Sequence, residues 1–480
     1  MRRLLLVLAV LLFIALPLAA KEMTILVQPF ENTGDAAYGW ISAGMTASVI
    51  SDLGRIRDVT VISDAERRKA AEEISLGQSG LVDEQKAVKV GNLLGANLIF
   101  SGSYQVAGMA VRVNATLTDV AKGSVEKSVK VDGTLGGIFE LQDRIVFALM
   151  EETQKIAIAD VKPVRFTAEE KKQIEAAPRP SLSAYELYAK GLQARKSNPR
   201  QALDLFAQAL KIQPDYLSAL VEAGYTAGET LNLFAEGLGY LERAEALYLN
   251  RAETGTKEYA GLLTKKGQVF KSMGKPAQAL ELYARAREIR EALGMQKTQA
   301  YAGLIASIGG IYSDLNQFDK ALESYAKARE LYEALGKQKS NSYSIVIMNT
   351  GVVYAKMKKD DDALAYYTKS REIEEDLHLE NTRGYAILIM DIGNIYLKRN
   401  DLDRAAECYA RSRAIRDALG LHETVGYASL LINIAMVQEK KGNGDLAGKT
   451  YREAYTIFDK TGYTGDLKER ALKNAQRLRH

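Results

Sequence analysis

In the second half of the chain, apolar residues recur three and four positions apart, a spacing typical of helices that pack on one face. Tyr343, Ile347, Gly351 and Tyr354 show it, because steps of four, four and three residues place all of them on one helix face. The polar residues 358–361 follow and predict a turn before the next helix. From residue 183 to the end, the pattern predicts helices and no strands.

The first part of the chain mixes two periodicities. Short apolar runs predict strands over residues 23–30, 59–63, 97–106, 109–119 and 124–132, and helical spacing appears at 39–56, 65–76, 83–95 and 138–156. Strands mixed with helices and ending in an antiparallel meander predict an α+β domain over residues 21–156. Residues 157–182 contain Pro163, Pro178 and Pro180 beside a charged run, which favours a linker.

The helical half repeats with a step of about 42 residues. An Ala-x-x-x-Tyr pattern returns in register, and a glycine lies twelve residues before each of the first four alanines. We interpret each unit as a helical hairpin, in which the glycine lets the partner helix approach closely, and the units as a stacked solenoid. The alanines are Ala279, Ala321, Ala363, Ala405 and Ala447, and the glycines are Gly267, Gly309, Gly351 and Gly393.

The spacing Gly–x2–Tyr–x8–Ala–x3–Tyr/Phe–x2–Ala–x4–Pro resembles the tetratricopeptide repeat over about residues 183–463, although the proline occurs only in the first unit. The step departs from the family's usual length of about 34 residues, so longer helices are expected. The resemblance implies about seven units in a right-handed superhelix whose concave groove binds peptides or protein segments. Residues 464–480 read as a polar capping helix.

The first domain is similar to the TolB-amino-terminal-like, CsgG-related domain of bacterial envelope proteins. This resemblance implies a small α+β fold used for assembly at the cell envelope, without catalysis. It is carried by the segments Pro29-Phe30-Glu31-Asn32, Gly44-Met45-Thr46, Leu94-Gly95-Ala96-Asn97, Ser101-Gly102-Ser103-Tyr104, Val111 to Asp119 and Ile138 to Asp143.

Residues 1–20 have the layout of a cleavable signal peptide. Arg2 and Arg3 form a positive start, an apolar core ends at Pro17, and small residues precede Lys21. The apolar run is short for a spanning helix, although an uncleaved anchor is the alternative. No cysteine follows the run, so a lipoprotein anchor is not expected. The sequence therefore predicts a protein that is periplasmic or otherwise exported.

Composition limits the classes of function that the chain can have. The 480 residues are 47% hydrophobic and 26% charged, which is ordinary for a globular protein and excludes a disordered or polytopic membrane chain. The net charge of +4 is slight and gives no argument for nucleic acid. One cysteine, three histidines and no phosphate-loop, dinucleotide or zinc motif leave no catalytic residue, metal site or cofactor to predict.

A few residues could be mistaken for catalytic, metal-binding or ligand-binding residues. His378 lies where sister repeats have Gly294, Gly336 and Gly420, so we interpret it as a helix C-cap. Cys408 is expected to be a buried small hydrophobe. Residues 360–362 are three aspartates without the spacing of a calcium loop, and a solvated turn is expected. The tyrosines that recur with the period of the repeat from Tyr259 are interpreted as packing residues rather than as an aromatic ligand stripe.

The first helix of each unit has a second face, opposite the glycine. The resemblance to the tetratricopeptide repeat implies that this face lies toward the groove. Asparagine there can bond a peptide backbone as donor and acceptor, and lysine can meet a carboxylate. The hypothesis is a groove for an extended, acidic segment, and the alternative is a solvated face. The candidate residues are Asn349, Val353 and Lys356, then Asp391, Ile395 and Lys398, then Asn433, Val437 and Lys440.

Three functions follow in order. The first is a non-enzymatic envelope adaptor whose groove binds a partner protein or peptide and whose first domain docks to an envelope assembly. The second is an accessory subunit of an outer-membrane secretion or surface-appendage system. The third, a ligand-sensing or enzymatic first domain, has no supporting motif.

Overall fold

The structure, a computed structural model, describes residues 23–62, 67, 84–158 and 161–478. The predicted signal peptide over residues 1–20 lies outside the described residues, as does nearly all of the predicted helix over 65–76. Among the described helices, none combines the length and the hydropathy that a membrane span needs. The described chain divides into a unit with a β-sheet and a unit of helices, and residues 84–95 group with the helical unit. An α+β region followed by a run of helices is the fold class that the sequence predicts.

A mixed six-stranded sheet organises the first unit. Its order is β3-β1-β4-β5-β6, and the short strand β2 pairs with β4. Strand β1 runs parallel to β3 and β4, whereas β4, β5 and β6 form the predicted antiparallel meander. The strands are β1 Met23–Val27, β2 Glu31–Asn32, β3 Val59–Val61, β4 Leu98–Ala107, β5 Ala110–Asp119 and β6 Ser124–Thr134.

Two helices cover the sheet. Helix α1 (Trp40–Leu53) and helix α3 (Ile138–Thr153) contact each other and the strands, and each buries most of its apolar residues. Strand β5 shows why the sheet has one inner face, since every second residue from Val111 to Leu117 is buried. Between β3 and β4 the chain forms helix α2 (Glu84–Leu94).

The segment predicted as a linker contains helix α4 (Ala168–Glu175) and packs on the sheet unit. A capping box between Thr167 and Glu170 begins the helix, and Ile174 is fully buried. Arg179 then pairs with the buried Asp143. The sequence pattern did not predict this helix. The prolines and charges of the segment favour a linker, and the single buried apolar residue of the helix gives no periodic signal.

From Leu182 onward, the described part of the second unit consists of seven helical pairs and a terminal helix. A π-helical turn, Thr226–Thr230, extends α7 where the sequence pattern is irregular. The pairs are α5 Leu182–Ala194 with α6 Pro199–Ile212, α7 Leu217–Tyr225 with α8 Phe234–Asn250, α9 Lys257–Ser272 with α10 Pro276–Ala292, α11 Gln299–Asp314 with α12 Phe318–Ala334, α13 Asn341–Lys356 with α14 Asp360–Asp376, α15 Arg383–Lys398 with α16 Leu402–Ala418, and α17 Val425–Lys440 with α18 Gly444–Lys460; α19 Asp466–Arg477 follows.

Close contact between a glycine and a tyrosine ring joins the two helices of a pair. A Cβ atom placed on Gly351 would lie 2.8 Å from Cδ1 of Tyr367, and one on Gly393 would lie 2.7 Å from Cε1 of Tyr409. The tyrosines are almost fully buried. The predicted packing role of the repeated glycine is therefore confirmed.

Successive pairs are joined by the next recurring tyrosine. Tyr343 is buried at the start of α13, where the Ser340 side chain accepts a hydrogen bond from its backbone N–H. Its hydroxyl donates to Glu333 of the preceding pair at 2.7 Å. Burial, helped by this bond, raises the pKa of Tyr343 to about 12. The capping serine or threonine recurs with the same period as the tyrosine, at Thr256, Thr298, Ser340, Thr382 and Thr424.

The second helices end as predicted. Gly294, Gly336 and Gly420 have φ values of 71°, 66° and 67°, and His378 adopts a φ of 57° at the equivalent place. This left-handed conformation favours glycine. His378 therefore occupies a helix C-cap, and its φ follows from that position.

The glycine contact can be tested by adding a single methyl group. We expect Gly351→Ala to lower the free energy of unfolding by about 1–2 kcal/mol, because the ring of Tyr367 has to move. Gly261→Ala in α9 is the matched control, since no atom lies within 4 Å of its added Cβ. The control should stabilise by up to about 1 kcal/mol through helix propensity. Urea unfolding followed by circular dichroism measures both variants, and equal stabilisation would contradict the packing role.

Candidate functional site

A cleft of about 380 Å³ opens between the first helices of three consecutive pairs, α13, α15 and α17. One residue of α14 completes its wall. The lining mixes two lysines, one carboxylate and two amides with apolar side chains. The lining residues are Val352, Ala355, Lys356, Tyr367, Asp391, Asn394, Ile395, Lys398 and Asn433.

The structure brings five of the nine predicted groove residues into this cleft: Lys356, Asp391, Ile395, Lys398 and Asn433. The other four are elsewhere. Val353 and Val437 are buried in helix packing, Asn349 is half-buried outside the cleft, and Lys440 is exposed beyond it. The helical-wheel estimate placed both valines on the outward face, but the structure buries them, as it also buries Ile395 at the same position of the intervening repeat.

Four lining residues were not predicted: Val352, Ala355, Tyr367 and Asn394. Asn394 follows Asp391 by three residues, so it shares its helix face and could have been identified from the spacing. The sequence assigned Tyr367 to packing against Gly351. It serves there and also presents part of its ring to the cleft.

A chain of hydrogen bonds crosses the floor of the cleft. Asn394 Oδ1 accepts from Tyr409 Oη at 2.8 Å and from Asn433 Nδ2 at 2.9 Å. Asn394 Nδ2 then donates to Asp391 Oδ1 at 3.3 Å. These bonds connect α15, α16 and α17, so the amides are held in place before any ligand arrives.

Asp391 has the unusual electrostatics of the cleft. Burial raises the pKa of its carboxyl to about 7, and the bond from Asn394 and the charge of Arg416 only partly oppose this. The carboxyl therefore changes its charge close to neutral pH. A group poised in this way inside a cleft is typical of a functional site.

The three predicted lysines contact polar groups of the preceding repeat. Lys356 Nζ donates to the backbone oxygen of Ser313 at 3.1 Å, Lys398 Nζ to Asp360 Oδ1 at 3.2 Å, and Lys440 Nζ to Asn400 Oδ1 at 3.0 Å. The residues that the sequence marked as a basic groove thus also connect neighbouring repeats.

The remaining candidates have structural surroundings. Residues 360–362 form the first turn of α14 rather than the expected turn between helices, and Asp360 and Asp361 pair with Lys398 and Arg399. Cys408 is half-buried beside the core, and burial raises the pKa of its thiol. Among the residues that the structure describes, no group of three potential metal ligands occurs.

Residues 258–418 match the family model of the tetratricopeptide repeat in three overlapping segments, 258–334, 301–376 and 342–418. The protein therefore contains tetratricopeptide repeats over α9 to α16, as the spacing predicts. Repeats of this kind indicate a scaffold for protein–protein interaction.

A protein of Rhizobium meliloti (strain 1021) named putative adenylate cyclase 3 is 25% identical over 208 residues, which are 42% of this chain and 32% of that protein. The chain thus spans about a third of that relative's length.

Solved structures with similar helical architecture include the apo form of RapI, at 17% identity and a TM-score of 0.45, covering 61% of this chain and 99% of that one. A Rap protein complexed with competence and sporulation factor has 13% identity and a TM-score of 0.44, covering 71% and 93%. BtubC from P. vanneervenii has 20% identity and a TM-score of 0.40, covering 52% and 94%.

The electrostatics of Asp391 predict a dependence of stability on pH. Because its folded pKa is raised from 3.8 to about 7, the folded state holds this proton more tightly than the unfolded state. Its destabilising effect is therefore absent below about pH 4 and complete above about pH 7. We expect Asp391→Asn to raise the urea midpoint at pH 8 and to change it much less at pH 4.

Asp376→Asn, at an exposed position of α14, is the control for this measurement. Its effect should not grow in the same way between the two pH values. A difference between wild type and Asp391→Asn that stays constant with pH would contradict the assignment of the burial effect to Asp391.

Proposed function

We propose that the protein is an exported, non-enzymatic adaptor that binds a peptide or protein segment in the cleft of its repeat unit. The amide cluster of Asn394 and Asn433 carries this proposal. Asn433 retains a side-chain oxygen that its contact with Asn394 does not use, so it can accept from a peptide N–H. An extended segment lying across α13, α15 and α17 would bury its apolar side chains against the half-buried Val352 and Ala355.

The location and the role of the first domain belong to the same proposal. The layout of residues 1–20 supports export to the periplasm. The resemblance of residues 21–156 to envelope-assembly domains supports docking of the α+β unit to a complex of the cell envelope. In this arrangement the first unit anchors the protein and the repeat unit holds the partner.

Site-specific cross-linking tests the cleft. A photoreactive p-benzoylphenylalanine replaces Lys398, which lines the cleft, or Lys327, whose side chain is 60% exposed on α12 outside it. Both variants begin from lysine, so they remove the same charge. After irradiation in cells, we expect a distinct cross-linked species from position 398 and none from 327. The reverse pattern would place binding outside the cleft.

Export is tested separately by fractionation and amino-terminal sequencing of the full-length product. We expect the protein in the periplasmic fraction with a new amino terminus close to Lys21, because small residues precede that position. Intact residues 1–20 on a protein in the cytoplasmic fraction would contradict export and leave the cross-linking result unaffected.

A further inference from the structure

Several acidic side chains of the repeat unit are neutralised within the protein. Each of three such carboxylates has a lysine from a neighbouring first helix within 4 Å. In this way the array compensates its own charges between repeats, independently of any ligand. The pairs are Glu222 with Lys265 at 2.9 Å, Asp314 with Lys271 at 3.6 Å and Asp360 with Lys398 at 3.2 Å.

Asp391 differs from these carboxylates. Within the part of the chain that the structure describes, its hydrogen bond comes from the neutral amide of Asn394, and no lysine or arginine lies within 4 Å of it. It lines the cleft, so the missing cation can be supplied from outside. A carboxylate withdrawn from water in this way gains most when a cation pairs with it.

The charged groups around Asp391 permit such a cation. Lys356 and Lys398 line the same cleft, but each faces an aspartate of the preceding repeat, Asp314 and Asp360. Tyr367 from α14 and Tyr409 from α16 have pKa values raised by burial, so both stay neutral. Arg416 on α16 is buried and its charge acts on Asp391, but its hydrogen bonds go to Ser412 and Met390.

We propose that the cleft selects a basic side chain, arginine or lysine, in an extended peptide segment, and that Asp391 is the residue that pairs with it. This inference rests on the proposed peptide-binding function and names the chemistry of its partner. It reverses the acidic partner expected from the lysines, because those lysines are already paired. A guanidinium would bond the Asp391 carboxylate while the Asn433 amide holds the peptide backbone.

A positional library of acetylated, amidated hexapeptides tests this choice on the full chain. One position is fixed in turn as arginine, as citrulline, which keeps the shape of arginine without its charge, or as glutamate. We expect the arginine pools to bind wild type about tenfold or more tightly than the citrulline pools, measured by fluorescence anisotropy at pH 8.

Two variants complete the design. Asp391→Asn should abolish the preference for arginine over citrulline, and it should fold because Asn349 and Asn433 occupy the same position in the adjacent repeats. Asp314→Asn removes a first-helix carboxylate outside the cleft lining that already has lysine partners, so it should keep the preference. Lowering the pH from 8 to 5.5 should weaken arginine binding in wild type and leave Asp391→Asn unchanged, as Asp391 takes up its proton.

The outcomes separate the two proposals. If no pool binds wild type, peptide binding in the cleft fails and the basic-side-chain inference fails with it. If pools bind but arginine is no better than citrulline, or if the arginine preference survives Asp391→Asn, the role of Asp391 is overturned and peptide binding stands. If wild type prefers the glutamate pools, the role of Asp391 is likewise overturned, and the lysines become the residues that recognise the partner.

Discussion

The helical unit depends on how closely the two helices of a pair can approach. A first-helix glycine accepts the ring of a second-helix tyrosine, and a single methyl group at Gly351 or Gly393 would overlap that ring. Interiors are packed at crystal-like density, so such a contact fixes the relative position of the helices within narrow limits. The same contact recurs at Gly267 and Gly309, so successive pairs share one packing arrangement and can stack regularly.

Regular stacking places the same helix faces side by side along the array. Lysines near the ends of these helices reach the previous repeat, as Lys356 donates to the backbone oxygen of Ser313 and Lys440 donates to the side chain of Asn400. Where one repeat carries a different residue at an equivalent position, that side chain meets a partner of another kind. Asp391 is the example, because the adjacent repeats carry asparagine at its position and its hydrogen bond comes from the neutral amide of Asn394.

Much of the fold could be predicted from the sequence, and the elements that were not predicted have physical causes. Strands β4 to β6 and the helix caps at Gly294 and His378 follow from local patterns, which the chain expresses over a few residues. Helix α4 was missed because its stability comes from a capping box and from docking Ile174 into the sheet unit. Capping and docking leave little hydrophobic periodicity for a sequence pattern to show.

The sequence by itself determined the α+β unit, the helical hairpins and their period, the packing role of the glycines and five of the residues that line the cleft. It could do so because each depends on the periodicity of one helix or strand. Only the tertiary structure decided that the lysines are paired between repeats while Asp391 is not, and that Asn394 and Tyr367 share the cleft. Those facts depend on distances between side chains of different repeats, and a one-dimensional spacing does not contain them.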